Sequence, residues 1–329
     1  CHARALPPGE SAFLVEKLSL PRRRGVAVAT IEVLRSGVNT WECDQMGHLN
    51  VRHYLARANQ GLVTLLLQLG LLPSQMRAQG LALRTRDQHV RFLRELRPGT
   101  SFSVHAGVVS ASAQRLFVFE EMRLVHEPAV AASMLSEVSL EEVATGDELP
   151  FSDAVLAHAR ALTTDIPTES APRGVERITP RVPPMRDEAL ERGLVGAFLG
   201  PVLPEDCDAF GVMTEGAFMA RVSDGMGHLF NSLRSTRHSG VGGAALEYRY
   251  VFHERPRLGD VIEVRSGLKG VGRKTTHLCH WIFNVETGRC AATSEAVAVS
   301  FDLTTRKSLD ISPEARTALL ERVVPGLSV

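Results

Sequence analysis

The sequence predicts an α+β protein in which one unit, a strand followed by a long helix and four antiparallel strands, occurs twice. Three observations carry this. Residues 43–66 return 164 positions later: Cys43 meets Cys207, Asp44 meets Asp208, Gly47 meets Gly211, Arg57 meets Arg221 and Gly61 meets Gly225. The apolar positions follow at the same offset, as Tyr54/Phe218, Leu55/Met219, Ala58/Val222, Leu62/Met226, Leu65/Leu229 and Leu66/Phe230. Chance supplies two or three such pairs, not eleven, so the chain reads as a tandem duplication. Further on the offset becomes 160, matching Arg97/Arg257, Gly99/Gly259, Val125/Val285 and Ala131-Ala132/Ala291-Ala292.

In chain order, residues 1–27 hold Pro7-Pro8-Gly9 and Pro21-Arg22-Arg23-Arg24-Gly25. They read as a tail or the end of a preceding module, too basic for a secretory signal. The first unit is 28–150. Val38, Thr40 and Trp41 favour a strand over 37–41, and Asp44 through Asn50 break it. Apolar residues at 51, 54, 55, 58, 62, 65, 66 and 69 then keep helical spacing over 51–69. Strands are expected at 81–93, 101–109, 115–125 and 130–143, with turns at 97–100 and 126–129. Segment 151–192 combines a short helix over 151–162 with an extended linker, which holds five prolines between 163 and 185. The second unit, 193–303, repeats the order: a helix at 214–233 and strands at 244–252, 261–268, 275–285 and 291–301. Residues 304–329 form a C-terminal tail with a helix over 313–324. In each unit a helix with one apolar face can bury it across a curved antiparallel sheet.

Composition narrows the function classes. Lysine plus arginine equals aspartate plus glutamate at 37 each in 329 residues, so bulk charge recruits neither nucleic acid nor an anionic membrane. No apolar run approaches the roughly 18 residues of a membrane span. The cysteines, Cys1, Cys43, Cys207, Cys279 and Cys290, are odd in number and lack close metal-ligand spacing. They read as thiols of a reducing compartment, hence a cytoplasmic protein with no metal.

The chemistry concentrates at 44–54, Asp-Gln-Met-Gly-His-Leu-Asn-Val-Arg-His-Tyr. Asp44 sits in a glycine-containing turn just ahead of a helix, where free N–H groups and the dipole favour negative charge. It is a candidate base or nucleophile, unless it only caps or shapes the turn. His48 has two readings as well, as part of the site or as a group satisfying nearby backbone. In the second copy Asp208 and Gly211 remain, but His48 becomes Val212 and Asn50 becomes Thr214. The second helix has its own polar stripe of Ala217, Arg221, Asp224 and His228, in which Asp224 and His228 lie one turn apart. That pair is either a second-half candidate site or a solvated ion pair.

The element order, together with Asp-x-Met-Gly-His-x-Asn-x-x-x-Tyr at 44–54, resembles the hot-dog thioesterases of the 4-hydroxybenzoyl-CoA type. The resemblance covers about 26–150 and 193–303. It implies two tandem hot-dog domains forming an intramolecular pseudo-dimer, with further homo-oligomer formation left open. It also implies hydrolysis of acyl-CoA thioesters, coenzyme A entering as part of the substrate and not as a cofactor. Asp44 becomes the catalytic carboxylate and the Val51 amide the oxyanion donor, while His48 and Asn50 line the turn. Glu42 departs from the aspartate many relatives have there. The alternatives are a hot-dog enoyl-thioester hydratase or dehydratase, for which no Asp-x-Asn-Pro-x-His-like string is present, and a catalytically silent acyl-CoA binder. Arg91, Arg94, Arg273 and Lys274 are the basic candidates for CoA contacts.

Overall fold

The computed structural model describes residues 30–233 and 240–329; the tail expected over 1–27 lies outside them. The chain opens with strand β1 (Ile31–Gly37). The strand expected at 37–41 is not there: Thr40–Glu42 turn as a short 3-10 helix. The Asn39 N–H and Nδ2 donate to the Glu42 carboxylate at 2.9 and 3.1 Å, a local closure that outcompetes the weak strand preference of Val38 and Thr40. Helix α1 (Val51–Gln68) begins at Asn50, whose Oδ1 accepts the Arg52 N–H at 3.0 Å. It buries Tyr54, Leu55, Ala58, Gly61, Leu62, Leu65 and Leu66, the stripe read from the spacing.

A short helix α2 (Pro73–Ala78) leads into β2 (Leu81–Phe92), β3 (Ser101–Ala111), β4 (Leu116–Leu124), β5 (Val130–Glu142) and the two-residue β6 (Glu148–Leu149). Helices α3 (Asp153–Ala161) and α4 (Arg186–Glu191) flank the linker. Then follow β7 (Val195–Pro201), α5 (Glu215–Ser232), β8 (Val241–Phe252), β9 (Val261–Val271), β10 (Thr275–Asn284), β11 (Cys290–Asp302) and α6 (Pro313–Leu320). The bounds of β7 and α5 lie 164 residues after those of β1 and α1, and those of β8, β9 and β11 lie 160 after β2, β3 and β5.

All main strands form one antiparallel sheet in the order β1-β3-β4-β5-β2-β8-β11-β10-β9-β7, with β6 on β5. The order reads alike from both edges. Its middle is the β2/β8 pair, where His89 faces Arg249, its own counterpart at the 160-residue offset. The helices are therefore not wrapped by separate sheets; the edge strands β2 and β8 satisfy each other's backbone groups, which removes two exposed edges. Helices α1 and α5 run antiparallel against each other through their N-terminal halves. Asn50 Nδ2 reaches Ser223 Oγ at 3.3 Å and Asn59 Nδ2 reaches Glu215 at 3.1 Å. At the closest approach, a Cβ on Gly216 would lie 3.1 Å from the Ala56 Cβ. One apolar core, with Leu55, Leu65, Phe218 and Tyr250 fully buried, spans both repeats.

The linker is pinned over the β2/β8 junction by buried charges. Glu247 accepts the N–H groups of Gly174 and Val175 at 2.8 and 2.9 Å and faces His89 Nε2 at 3.4 Å. Arg249 pairs with Asp87 at 2.6 Å and donates to the carbonyls of Glu176 and Ile178. Burial alone would raise the Glu247 carboxyl, but His89 and those N–H groups outweigh it and hold it at about 2.

Candidate active site

Gly47 and Gly211, at φ 76° and 70°, let the chain reverse in each copy of the turn, a conformation that costs glycine little. In the first copy the Asp44 N–H donates to the His48 carbonyl at 3.0 Å, and the Met46 N–H donates to Asp44 Oδ1 at 2.8 Å. That leaves Asp44 Oδ2 facing His48, whose Nδ1 stands 3.5 Å away. His48 Nε2 is buried, has no hydrogen-bond partner among the described residues and lies 3.7 Å from Glu95. Glu95 itself pairs with Arg306, just past the end of β11. At the helix start, Asn50 takes the Arg52 N–H at 3.0 Å and the His53 N–H at 2.9 Å; among the described residues none accepts the Val51 N–H. The first copy thus assembles a carboxylate, an imidazole and a free amide at the positive end of an 18-residue helix.

The supports around this turn are specific. Glu42 is buried and held by Arg57 at 2.5 Å; Asp206 and Arg221 make the same pair in the second copy, at 2.6 and 2.5 Å. Glutamate at 42 therefore does the work that aspartate does at 206. Burial would raise the Glu42 carboxyl, but the Asn39 N–H and Arg57 hold it below the usual range. Tyr54, the last residue of the motif, accepts the Leu96 N–H and donates to the Arg94 carbonyl, both at 3.3 Å. It thereby fixes the segment that carries Glu95. Burial keeps its phenol neutral by raising it above its ordinary value.

The second copy keeps the shape and loses the chemistry. Asp208 Oδ1 accepts the N–H groups of Phe210 and Val212, and Oδ2 is taken by Arg84 of β2 at 2.6 Å. Arg84 is buried and also holds Glu141 at 3.1 Å. Its counterpart at the 160-residue offset is Ala244, in the run Gly242-Gly243-Ala244-Ala245. Met46 rests on this run, since a Cβ on Gly242 would come within 2.5 Å of its Cε, while a Cβ on Gly243 would meet nothing within 4 Å. Among the described residues no arginine or lysine pairs with Asp44, where Arg84 takes Asp208.

Asp224 and His228 do not form the pair anticipated from their spacing. Asp224 is exposed and goes to Arg221 at 3.0 Å, His228 is exposed, and Ala217 is buried. The α5 residue that meets the first turn is Ser223. The basic candidates for CoA each face an acidic side chain. Arg91 binds Glu247 and linker carbonyls, Arg94 faces Glu127, and Arg273 and Lys274 share Asp310. Sequence reasoning missed Arg84, Glu95 and Arg306. The signal for all three was a charge difference between copies at the 160-residue offset, Arg84/Ala244, Glu95/Arg255 and Gly146/Arg306. Two clefts of about 340 Å³ lie beneath the linker at Arg177 and Pro180, and no residue of the Asp44 turn lines either. Among the described residues no group of three or more His, Cys, Asp or Glu is placed to hold a metal ion, and no helix is long and apolar enough to cross a membrane.

Comparison with known proteins decides the family. The model of the thioesterase-like superfamily matches residues 38–190 and 202–319, one segment over each copy of the turn. The chain belongs to this hot-dog superfamily and is a thioester hydrolase. A Betainyl-CoA thioesterase of Pseudomonas aeruginosa is 29% identical over 146 residues, spanning 44% of this chain and 89% of that protein. Among solved structures, a 12:0-ACP thioesterase from Umbellularia californica aligns over 83% of this chain and 94% of its own, at TM-score 0.60 and 10% identity. An acyl-ACP thioesterase from Bacteroides thetaiotaomicron aligns over 82% and 98%, at the same TM-score and identity. At that identity the two structures speak for the fold alone.

Proposed function

We propose that this thioesterase is a tandem pair of hot-dog units, joined as an intramolecular pseudo-dimer, that hydrolyses acyl-CoA thioesters to the free acid and CoA at one site, the Asp44 turn. The single observation that carries the reading is the inequality of the two turns. Among the described residues Asp44 Oδ2 has no arginine or lysine partner and faces the His48 imidazole at 3.5 Å, whereas Asp208 is paired with Arg84 at 2.6 Å. The Asp44 carboxylate either attacks the thioester carbonyl or removes a proton from the attacking water. In the first route a C–O bond forms to Asp44, the C–S bond breaks with CoA leaving as thiolate, and water then cleaves the anhydride to the acid and the Asp44 carboxylate, a proton from that water ending on the thiolate. In both routes the carbonyl oxygen gathers charge that the Val51 N–H and the α1 dipole stabilise. His48 orients the carboxylate, and Asn50 fixes the helix start against Ser223 of α5. A reducing, cytoplasmic setting belongs to the same reading and fits the four free thiols among the described residues.

The test is release of free thiol from a panel of acyl-CoAs, with betainyl-CoA and an acyl-ACP included because relatives carry those names. Thiol release that Asp44→Asn abolishes supports the proposal. Hydration of an enoyl-CoA without thiol release, or binding without turnover, would replace it.

A further inference from the structure

Among the described residues Arg306 is the one non-glycine with left-handed backbone, at φ 58°. Its counterpart at the 160-residue offset is Gly146, at φ 78°, the residue that takes this conformation without a steric penalty. An arginine kept in such a position directs attention to its side chain. The guanidinium lies 4.4 Å from the centre of the Phe301 ring and pairs with Glu95, 211 residues earlier in the chain. Glu95 stands 3.7 Å from His48 Nε2, which is buried and otherwise unpartnered among the described residues, and the other ring nitrogen is 3.5 Å from Asp44 Oδ2. The series Arg306, Glu95, His48, Asp44 is present at one turn only. At the second turn the same places hold Gly146, Arg255, Val212 and Asp208.

We propose that Arg306 and Glu95 are positioning residues for the reaction at Asp44. Arg306, supplied by the turn that follows β11, anchors Glu95 against one nitrogen of His48, so the ring keeps its other nitrogen toward the Asp44 carboxylate. Glu95 is about one-third exposed and has a flexible stem, so without its cation it does not hold one place. Both gaps at His48 are longer than hydrogen bonds and are of the kind that tighten when substrate closes the site. The inference rests on Asp44 being the reacting group.

Arg306→Gly provides the test, because glycine suits this backbone better than arginine. Its melting temperature should hold or rise, while kcat for thiol release falls roughly tenfold or more and KM changes little. Arg306→Lys, which keeps the charge, should recover part of the loss. In a Glu95→Gln background Arg306→Gly should have no further effect, since both act through one contact. Unchanged kcat in Arg306→Gly, in an enzyme that Asp44→Asn inactivates, would overturn the proposal. So would a raised KM at unchanged kcat, which would make Arg306 a substrate-binding cation. Full activity in Asp44→Asn would instead remove the reacting group on which the proposal rests, so the two failures are told apart.

Discussion

Replacing each turn aspartate by asparagine should separate activity from stability in opposite directions. At Asp44 the amide oxygen can still accept the Met46 N–H, and no cation loses a partner, so stability should change by less than about 1 kcal/mol. The carboxylate charge disappears, however, and kcat should fall by about two orders of magnitude or more, equal to roughly 3 kcal/mol of transition-state stabilisation. At Asp208 the loss falls on Arg84, whose side chain is 6% exposed. Stripping one partner from a buried pair costs about 3–5 kcal/mol. Glu141 still holds Arg84 at 3.1 Å and Asp208 is 25% exposed, so the expected cost is reduced to about 2 kcal/mol. Denaturant unfolding of both variants, read beside thiol release, checks the pattern. Equal activity losses, or an Asp44→Asn variant as destabilised as Asp208→Asn, would refute the claim that one turn is catalytic and the other structural.

Two further outcomes concern the sheet. Burial holds the His280 imidazole down to about 3, so between pH 6.5 and 3 the unfolded chain binds the proton that the folded one does not, and stability falls as pH falls. From pH 6.5 to 5 this group alone should remove about 2 kcal/mol; unfolding curves at the two pH values should show the loss in wild type and its reduction in His280→Phe, and parallel losses would contradict it. Glu247, held at about 2, contributes stability that is complete above about pH 4.5 and disappears as pH falls toward 2. Glu247→Gln at neutral pH should therefore free the linker and speed protease cleavage within 164–185; an unchanged cleavage rate would mean that Arg249 and its two linker carbonyls suffice.

Much of the molecule was legible before any coordinates. The helix stripe at 51–69, the repeat offsets and the order of elements along the chain follow from local periodicity and duplication, and these survive in the sequence because each acts over a few residues. The turn was legible for the same reason: Asp44, Gly47, His48, Asn50 and Val51 all lie within one short stretch. The strand expected at 37–41 failed because one Asn39–Glu42 closure outweighed a weak propensity. Asp224 and His228 misled because i,i+4 spacing puts two residues on one face without saying whether a nearer arginine claims the acid.

What only the tertiary structure decided is which half completes which turn. Pairing of β2 with β8 runs through backbone groups that every residue carries, so no side-chain pattern announces it. Once made, it carries Arg84 to Asp208 across 124 residues and helps bring Arg306 to Glu95 across 211. Charges that far apart in sequence meet only after the sheet has closed. The sequence by itself determined two turns of one shape, the second without the histidine and asparagine of the first; the joined sheet added the charge difference, by setting Arg84 against Asp208 and no arginine or lysine among the described residues against Asp44.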